Sequence, residues 1–126
     1  MTSPISTPAL VLGRVAPTLP VRDIVRACRA YRAAFGFETV FENGDPVGFA
    51  ILRKDAAELH LTLQKDTRPV AFNRAHILVS DADEACRRCV AQGFRIIKSV
   101  QDKEYGLRAF VFADLDGNRI DVGQVI

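Results

Sequence analysis

A stretch that occurs twice is the sequence feature that most constrains the fold of this chain. Seven matched identities relate the segments Val21–Phe37 and Val79–Phe94, five at a spacing of 58 residues and two after a one-residue deletion. The matched pairs are Val21 and Val79, Asp23 and Asp81, Ala27 and Ala85, Cys28 and Cys86, Arg29 and Arg87, Gly36 and Gly93, and Phe37 and Phe94. Self-similarity at a fixed spacing predicts one structural unit that is used twice.

Each copy predicts a strand, a turn and an amphipathic helix. Asp23 and Asp81 carry side-chain oxygens and a negative charge suited to the first turn of a helix. Gly36 and Gly93 can adopt the positive φ that ends a helix. Between these signals, small and apolar residues recur at helical spacing with arginines between them. That spacing predicts a helix with one buried face and one solvated face.

The order of elements around the two copies predicts an α+β domain. Asn43-Gly44 is a strong hairpin signal within the first unit, and Gln64–Pro69 has the composition of a linker. Leu59, Leu61 and Leu63 alternate with polar residues, which indicates a strand with one apolar face. The expected strands are Ala16–Val21, Phe37–Phe41, Val47–Arg53, Leu59–Leu63, Ala75–Val79, Arg95–Val100, Leu107–Ala113 and Arg119–Gln124, and the expected helices are Asp23–Ala34 and Ala82–Gln92.

Length and charge restrict the functions open to such a domain. At 126 residues the chain predicts a single domain, with one unit at about 15–63, the other at about 74–124, and an N-terminal arm at 1–14. The net charge is only +2 and is scattered, which argues against nucleic acid or an anionic membrane as partner. The arm lacks the basic and apolar regions of a signal peptide. The three cysteines predict no disulfide and a cytoplasmic location.

Several short motifs carry a family resemblance. They are Leu19-Pro20-Val21-Arg22-Asp23, Phe35-Gly36-Phe37, Glu58-Leu59-His60-Leu61, Tyr105-Gly106-Leu107-Arg108 and Asp114-Leu115-Asp116-Gly117-Asn118. With two βαβββ units, they resemble the vicinal-oxygen-chelate superfamily of glyoxalases, bleomycin resistance proteins and dioxygenases, and are most similar to the bleomycin-resistance branch. The resemblance implies a curved, cup-like mixed sheet of eight strands.

The resemblance also locates the positions where the enzymes of this superfamily hold a divalent metal. Those positions, on the first and fourth strands of each unit, are Ala16, His60, Arg74 and Asp121. Only His60 and Asp121 can ligate a metal, whereas catalytic sites usually need at least three ligands. We therefore expect no metal and no cofactor. The alternative is a triad in which His76, two residues beyond Arg74, joins His60 and Asp121.

One side of the predicted sheet is rich in polar residues, and we call it the polar face. It comprises Glu58, His60, Thr62, Arg74, His76, Arg119 and Asp121. Such a face suits a polar or zwitterionic organic ligand, although a merely solvated sheet face is the other interpretation. Phe49, Tyr105, Phe110 and Phe112 are candidate stacking walls. The predicted ligand contacts are Phe49, His60, Arg74, His76, Tyr105, Arg108 and Asp121, with no catalytic residue.

Two other motifs favour structural roles. Cys86 and Cys89 have the spacing of a redox pair but fall inside a helix, away from the N-terminus that would stabilise a thiolate. Asp114–Asn118 resembles the start of a calcium loop but lacks the closing glutamate and lies between two strands, which predicts a hairpin turn.

These observations lead to one expected function and two rivals. The leading hypothesis is a metal-free protein, related to drug resistance, that sequesters an antibiotic or other small organic ligand in the cleft of a homodimer. Open sheet edges favour association, and the arm is long enough to reach a partner. The first rival is a metal-dependent lyase or oxygenase of the glyoxalase or dioxygenase type that uses His60, His76 and Asp121. The second is a structural or regulatory domain whose cup is vestigial.

Overall fold

A computed structural model describes residues 7–126 and contains eight strands and two helices in that part of the chain. The elements are β1 (Thr18–Val21), α1 (Ile24–Phe35), β2 (Glu38–Asn43), β3 (Phe49–Lys54), β4 (Ala57–Leu63), β5 (Asn73–Leu78), α2 (Ala82–Ala91), β6 (Arg95–Asp102), β7 (Leu107–Ala113) and β8 (Arg119–Val125). Residues 1–6 of the predicted arm lie outside the described residues.

The structure confirms the predicted order of elements in both units. Each unit forms a four-stranded mixed sheet, with strand order β1-β4-β3-β2 in sheet A and β5-β8-β7-β6 in sheet B. In both sheets the strand before the helix pairs in parallel with the last strand of its unit. The hydrogen bonds place Thr18 opposite His60 in sheet A and His76 opposite Asp121 in sheet B. The fold is α+β, as the sequence predicts.

The helix ends follow the predicted chemistry. Asp23 accepts a hydrogen bond from the amide of Arg26 at 3.0 Å, and Asp81 accepts one from the amide of Glu84 at 3.1 Å. Gly36 closes α1 with a φ of 82°. Helix α2 ends at Ala91, with Gln92 as its cap, and Gly93 follows with a φ of 79°. The first helix is therefore capped by its glycine, whereas in the second the glycine follows the cap by one residue.

Alternating side chains divide each sheet into an apolar face beneath the helices and the polar face. Leu59 and Leu61 of β4 are buried, while Glu58 and His60 face the other way. The same alternation in β7 sends Phe110 and Phe112 into the core, where Phe112 stacks on Phe94 with ring centroids 5.2 Å apart. The expectation that these two phenylalanines could form ligand walls is therefore wrong, because they lie under the helices.

The turn between β7 and β8 locks the two units together. Tyr31 of α1 donates a 2.7 Å hydrogen bond to Oδ2 of Asp114, and the amide of Asn118 donates through Nδ2 to the carbonyl of Pro20 at 2.8 Å. Asp116 accepts from the guanidinium groups of Arg22 and Arg26. The Asp114 carboxylate and Oδ1 of Asp116 are therefore occupied by N–H and O–H donors, as suits the predicted hairpin turn and not a calcium loop, while Oδ2 of Asp116 is buried without a hydrogen-bond partner among the described residues.

Several strand boundaries differ from the predicted ones. Strand β1 begins at Thr18 instead of Ala16, and β4 begins at Ala57, two residues earlier than expected. Val47 belongs to the turn after β2, where Gly44 has a φ of 97° and the Asp45–Pro46 bond is cis. The predicted hairpin is present, with a longer connection than the Asn43-Gly44 pair alone indicates.

Candidate functional site

A groove of about 630 Å³ lies where the two sheets meet. It opens there because β1 pairs with β4 only from His60 onward, and because β5 is an edge strand of sheet B. Its walls combine apolar residues with three members of the polar face. The lining residues are Val15, Pro17, Ala56, Ala57, Glu58, Leu59, Arg74, Ala75, His76, Ile77 and Leu78.

A histidine–carboxylate pair lies at the sheet B side of this groove. Nδ1 of His76 is 2.8 Å from Oδ2 of Asp121, its register partner on the neighbouring parallel strand. An ionised carboxylate can only accept a hydrogen bond, so Nδ1 of His76 is the donor in this pair. Within residues 7–126, Nε2 makes no hydrogen bond. The pair thus orients the imidazole ring and leaves Nε2 of His76 open to a ligand.

Gly123 makes room for the His76 ring. A Cβ at this position would lie 3.2 Å from Cε1 of His76 and 3.1 Å from Cδ1 of Leu107. Sequence reasoning missed Gly123 as a site residue. The available signal was a glycine inside a strand, which often marks close approach by another group.

Glu58 organises the sheet A side of the groove. Its Oε2 is 2.7 Å from Nε2 of His60, and its Oε1 accepts from Arg53 at 2.7 Å and Arg14 at 3.1 Å. The Arg53 hydrogen bond, followed by that of His60, lowers the pKa of Glu58 to about 2. Glu58 is therefore an anion across the working pH range and links His60 to the groove.

An aromatic wall extends from His60 across sheet A. The ring centroids of Phe49 and His60 are 5.5 Å apart in an edge-to-face arrangement, and those of Phe41 and Phe49 are 6.3 Å apart. Phe41 is 49% exposed. This geometry leaves Phe49 and Phe41 on the polar side of sheet A, where a flat ligand could contact them.

Two arginines flank His76 and Asp121 without a carboxylate of their own. Arg74 lies at an irregularity in β5 between Asn73 and Ala75, and Arg119 begins β8 opposite Asn73. Neither takes part in an ion pair among residues 7–126. The Nε atom of each is buried without a hydrogen-bond partner.

The remaining two predicted ligand contacts lie elsewhere. Arg108 is on the helix side of sheet B, because it shares the face of Phe110 and Phe112, and its guanidinium binds Asp83 and Asp102 at 2.9 Å. These partners raise its pKa. Tyr105 is 70% exposed in the turn before β7 and does not line the groove. In one chain, therefore, Arg74 and His76 line the groove, and His76 binds Asp121. His60 is linked to the groove by its hydrogen bond to Glu58, and Phe49 packs against His60.

A second cleft, of about 480 Å³, lies on the helix side near α2. Its charged residues are largely committed to one another, since Arg88 donates to Glu84 at 3.0 Å. Cys86 lies outside both this cleft and the groove. Burial raises the pKa of Cys89 to about 12 and also raises that of Cys86. Both thiols thus stay protonated at neutral pH, which disfavours a redox role.

Comparison with known proteins places this architecture in a family. A family model described as the Glyoxalase/Bleomycin resistance protein/Dioxygenase superfamily matches residues 12–122. The chain belongs to this superfamily. No curated protein sequence matches it.

Solved structures of the superfamily share the fold of this member at low sequence identity. TioX from Micromonospora sp. ML1 is 24% identical with a TM-score of 0.73, over 90% of this chain and 99% of its own. A bleomycin resistance determinant encoded on transposon Tn5 is 23% identical with a TM-score of 0.74, over 90% and 98%. The fosfomycin resistance protein FosX from Listeria monocytogenes is 16% identical with a TM-score of 0.75, over 93% and 96%. At these identities the likeness establishes the fold alone.

The side chains of residues 7–126 that could ligate a metal do not come together in one chain. No three His, Cys, Asp or Glu side chains among residues 7–126 come close enough to hold an ion. His60 and Asp121 instead bind Glu58 and His76, respectively. The alternative triad of His60, His76 and Asp121 is therefore not assembled in the single chain.

Neither helix in the described residues has the length and apolar character to cross a membrane.

Proposed function

We propose that this superfamily member is a metal-free protein that binds and sequesters a small organic molecule on its polar face. The observation that carries the proposal is the groove between the sheets, which joins Arg74 and His76 to Glu58 beside apolar walls. Most small-molecule sites have this composition, with apolar lining and a few well-placed polar groups. Three structural relatives are a bleomycin resistance determinant, a bleomycin-binding protein in complex with bleomycin, and the fosfomycin resistance protein FosX. An antibiotic is accordingly one candidate ligand.

The proposal includes a homodimer in which a second subunit completes each site. Sheet A ends in β1 and β2 and sheet B in β5 and β6, so each sheet has edges that another chain could cover. Apolar side chains are exposed along the described part of the arm, including Leu10 and Val11 at 87% each. Tyr105 lies outside the groove of its own chain, and we place it in the site contributed across the subunit boundary.

A ligand screen followed by mutagenesis tests this function. Small organic molecules, antibiotics included, would be screened against the purified protein, and each hit titrated against Asp121→Ala, Arg74→Ala and Tyr105→Ala. We expect Asp121→Ala and Arg74→Ala to lose roughly ten- to a hundredfold in affinity, since a hydrogen bond to a charged group is worth about 1.5 to 3 kcal/mol. Tyr105→Ala should also weaken binding, because it removes an aromatic contact. Cys86→Ser is the control.

Two outcomes would overturn the proposal. Loss of affinity in Cys86→Ser with unchanged affinity in the other variants would place the site elsewhere. About one zinc, nickel, iron or manganese ion per chain by elemental analysis, lost in His60→Ala or Asp121→Ala, would instead support the metalloenzyme hypothesis.

A further inference from the structure

We infer that the ligand is an organic anion, a carboxylate or phosphonate, whose acid group binds Arg74 and Arg119 beside His76. This inference rests on the proposed small-molecule function and names the chemical class of its ligand. The two arginines lie on neighbouring strands, and the register partner of Arg119 is Asn73, the residue next to Arg74. An acid group between the strands can therefore meet both guanidinium groups.

The contacts of these arginines leave their charges available. Arg108, on the other side of the sheet, is saturated by Asp83 and Asp102. Arg74, by contrast, makes no side-chain hydrogen bond or ion pair with residues 7–126, and its Cζ lies 5.4 Å from the centroid of the Phe72 ring. Arg119 makes one long hydrogen bond, 3.3 Å from Nη1 to the carbonyl of Ala71. Most of their N–H donors are thus unused by the residues that the structure describes.

The carboxylates of Asp121 and Glu58 beside the site are already engaged. Asp121 is hydrogen-bonded to His76, and Glu58 is bound by Arg53 and Arg14. Arg14, Arg53, Arg74 and Arg119 outnumber the carboxylates of Glu58 and Asp121 in this region, so the local charge is positive. A planar guanidinium fork matches the oxygens of a carboxylate or phosphonate. A cationic ligand would find no free carboxylate here.

The organic part of the ligand has an apolar surface to contact. Phe72 is 60% exposed beside Arg74, and Leu59 and Val15 line the groove on the opposite side. An anion with an aromatic or aliphatic body therefore suits the site better than inorganic phosphate, which would leave these walls in water.

A matched series of aromatic probes tests the inference. Benzoate and phenylphosphonate carry the proposed acid groups, benzyl alcohol is neutral, and benzylammonium is cationic. Each would be titrated into the intact protein, with amide shifts in NMR spectra locating the contact. We expect the anions to bind at β5 and β8, with affinity falling as sodium chloride is added. Their relative affinities tell a carboxylate site from a phosphonate site.

Variants that remove one arginine charge provide the second test of the inference. Arg74→Gln and Arg119→Gln should weaken binding of the better anion roughly ten- to a hundredfold. The control is Arg29→Gln, which removes the same charge from an exposed position on α1 and should bind as the wild type does. Amide spectra of all three variants establish that they are folded.

The outcomes separate this inference from the function on which it rests. Equal anion affinity in wild type, Arg74→Gln and Arg119→Gln would overturn the inference. Stronger binding of benzyl alcohol or benzylammonium at the groove would also overturn it, while the proposed small-molecule function would stand. Binding of no probe and of no screened compound at the groove would count against both.

Discussion

The hydroxyl of Tyr31 donates a 2.7 Å hydrogen bond to Oδ2 of Asp114, joining the helix of the first unit to the final hairpin of the second. Both groups are buried, and burial is the main cause of the raised pKa of each. The other acceptor sites of Asp114 are met by the amides of Asp116 and Asn118 and by the Asn118 side chain. Tyr31 thus completes a buried network that links two units distant in sequence.

Removal of the Tyr31 hydroxyl should destabilise the protein. We expect Tyr31→Phe to lower the free energy of unfolding by about 1 to 3 kcal/mol, because a buried carboxylate loses one donor. Urea denaturation measures this difference. Tyr105→Phe, at a 70% exposed tyrosine, is the control and should change stability by no more than about 0.5 kcal/mol. Equal stabilities of the two variants would contradict the structural role of the hydrogen bond.

The ion pairs of Glu58 predict a specific acid sensitivity. Its pKa falls from an ordinary 4.5 to about 2 in the folded protein. A carboxyl whose pKa is lowered by folding stabilises the fold above its unfolded pKa, and this contribution is lost as pH falls toward its folded pKa. Glu58→Gln should therefore reduce the melting temperature at pH 7, with the difference from wild type shrinking between about pH 4.5 and 2.

Melting curves across pH would check this prediction for Glu58. Glu104→Gln removes the same charge from an exposed turn residue and should follow the wild type throughout. A melting-temperature difference for Glu58→Gln that stays constant from pH 7 to pH 2 would show that the ion pairs are not its source.

The close contact between Gly123 and His76 predicts that a side chain at position 123 would disturb the His76–Asp121 pair. In Gly123→Ala the new methyl group would lie 3.2 Å from Cε1 of His76 and 3.1 Å from Cδ1 of Leu107, so these side chains must give way by a few tenths of an ångström. We expect a shifted or weakened Nδ1–H signal of His76 in proton–nitrogen NMR spectra, with the fold retained. Gly48→Ala is the control, since a Cβ there meets nothing within 4 Å. An unchanged Nδ1–H signal in Gly123→Ala would show that the glycine does not position His76.

The exposed arm predicts the oligomeric state. We expect sedimentation to give the mass of two chains at micromolar concentration, and Leu10→Ser, Val11→Ser and Leu12→Ser together to shift it toward one. These side chains are 82–87% exposed in the single chain, and a partner would bury them. Val25→Ser, on the solvated side of α1, is the control. A single-chain mass for the wild-type protein would contradict the dimer.

The sequence predicted much of the fold because its signals were local. The capping aspartates, the glycines at the helix ends and the alternation in β4 each act over a few residues, and the structure confirms all three. The same alternation could have placed Arg108 correctly. It lies two residues from Phe110 on one strand and so shares its buried face, not the polar face.

The sequence by itself determined that one unit is used twice, which side of β4 is apolar, and to which superfamily the chain belongs. Tertiary structure alone decided which polar residues meet. His76 reaches Asp121 through parallel strand pairing, and Gly123 makes room for its ring. Tyr31 reaches Asp114 through the packing of one unit on the other. These contacts join residues far apart in the chain, so their partners depend on strand register and unit packing, which local sequence patterns do not encode.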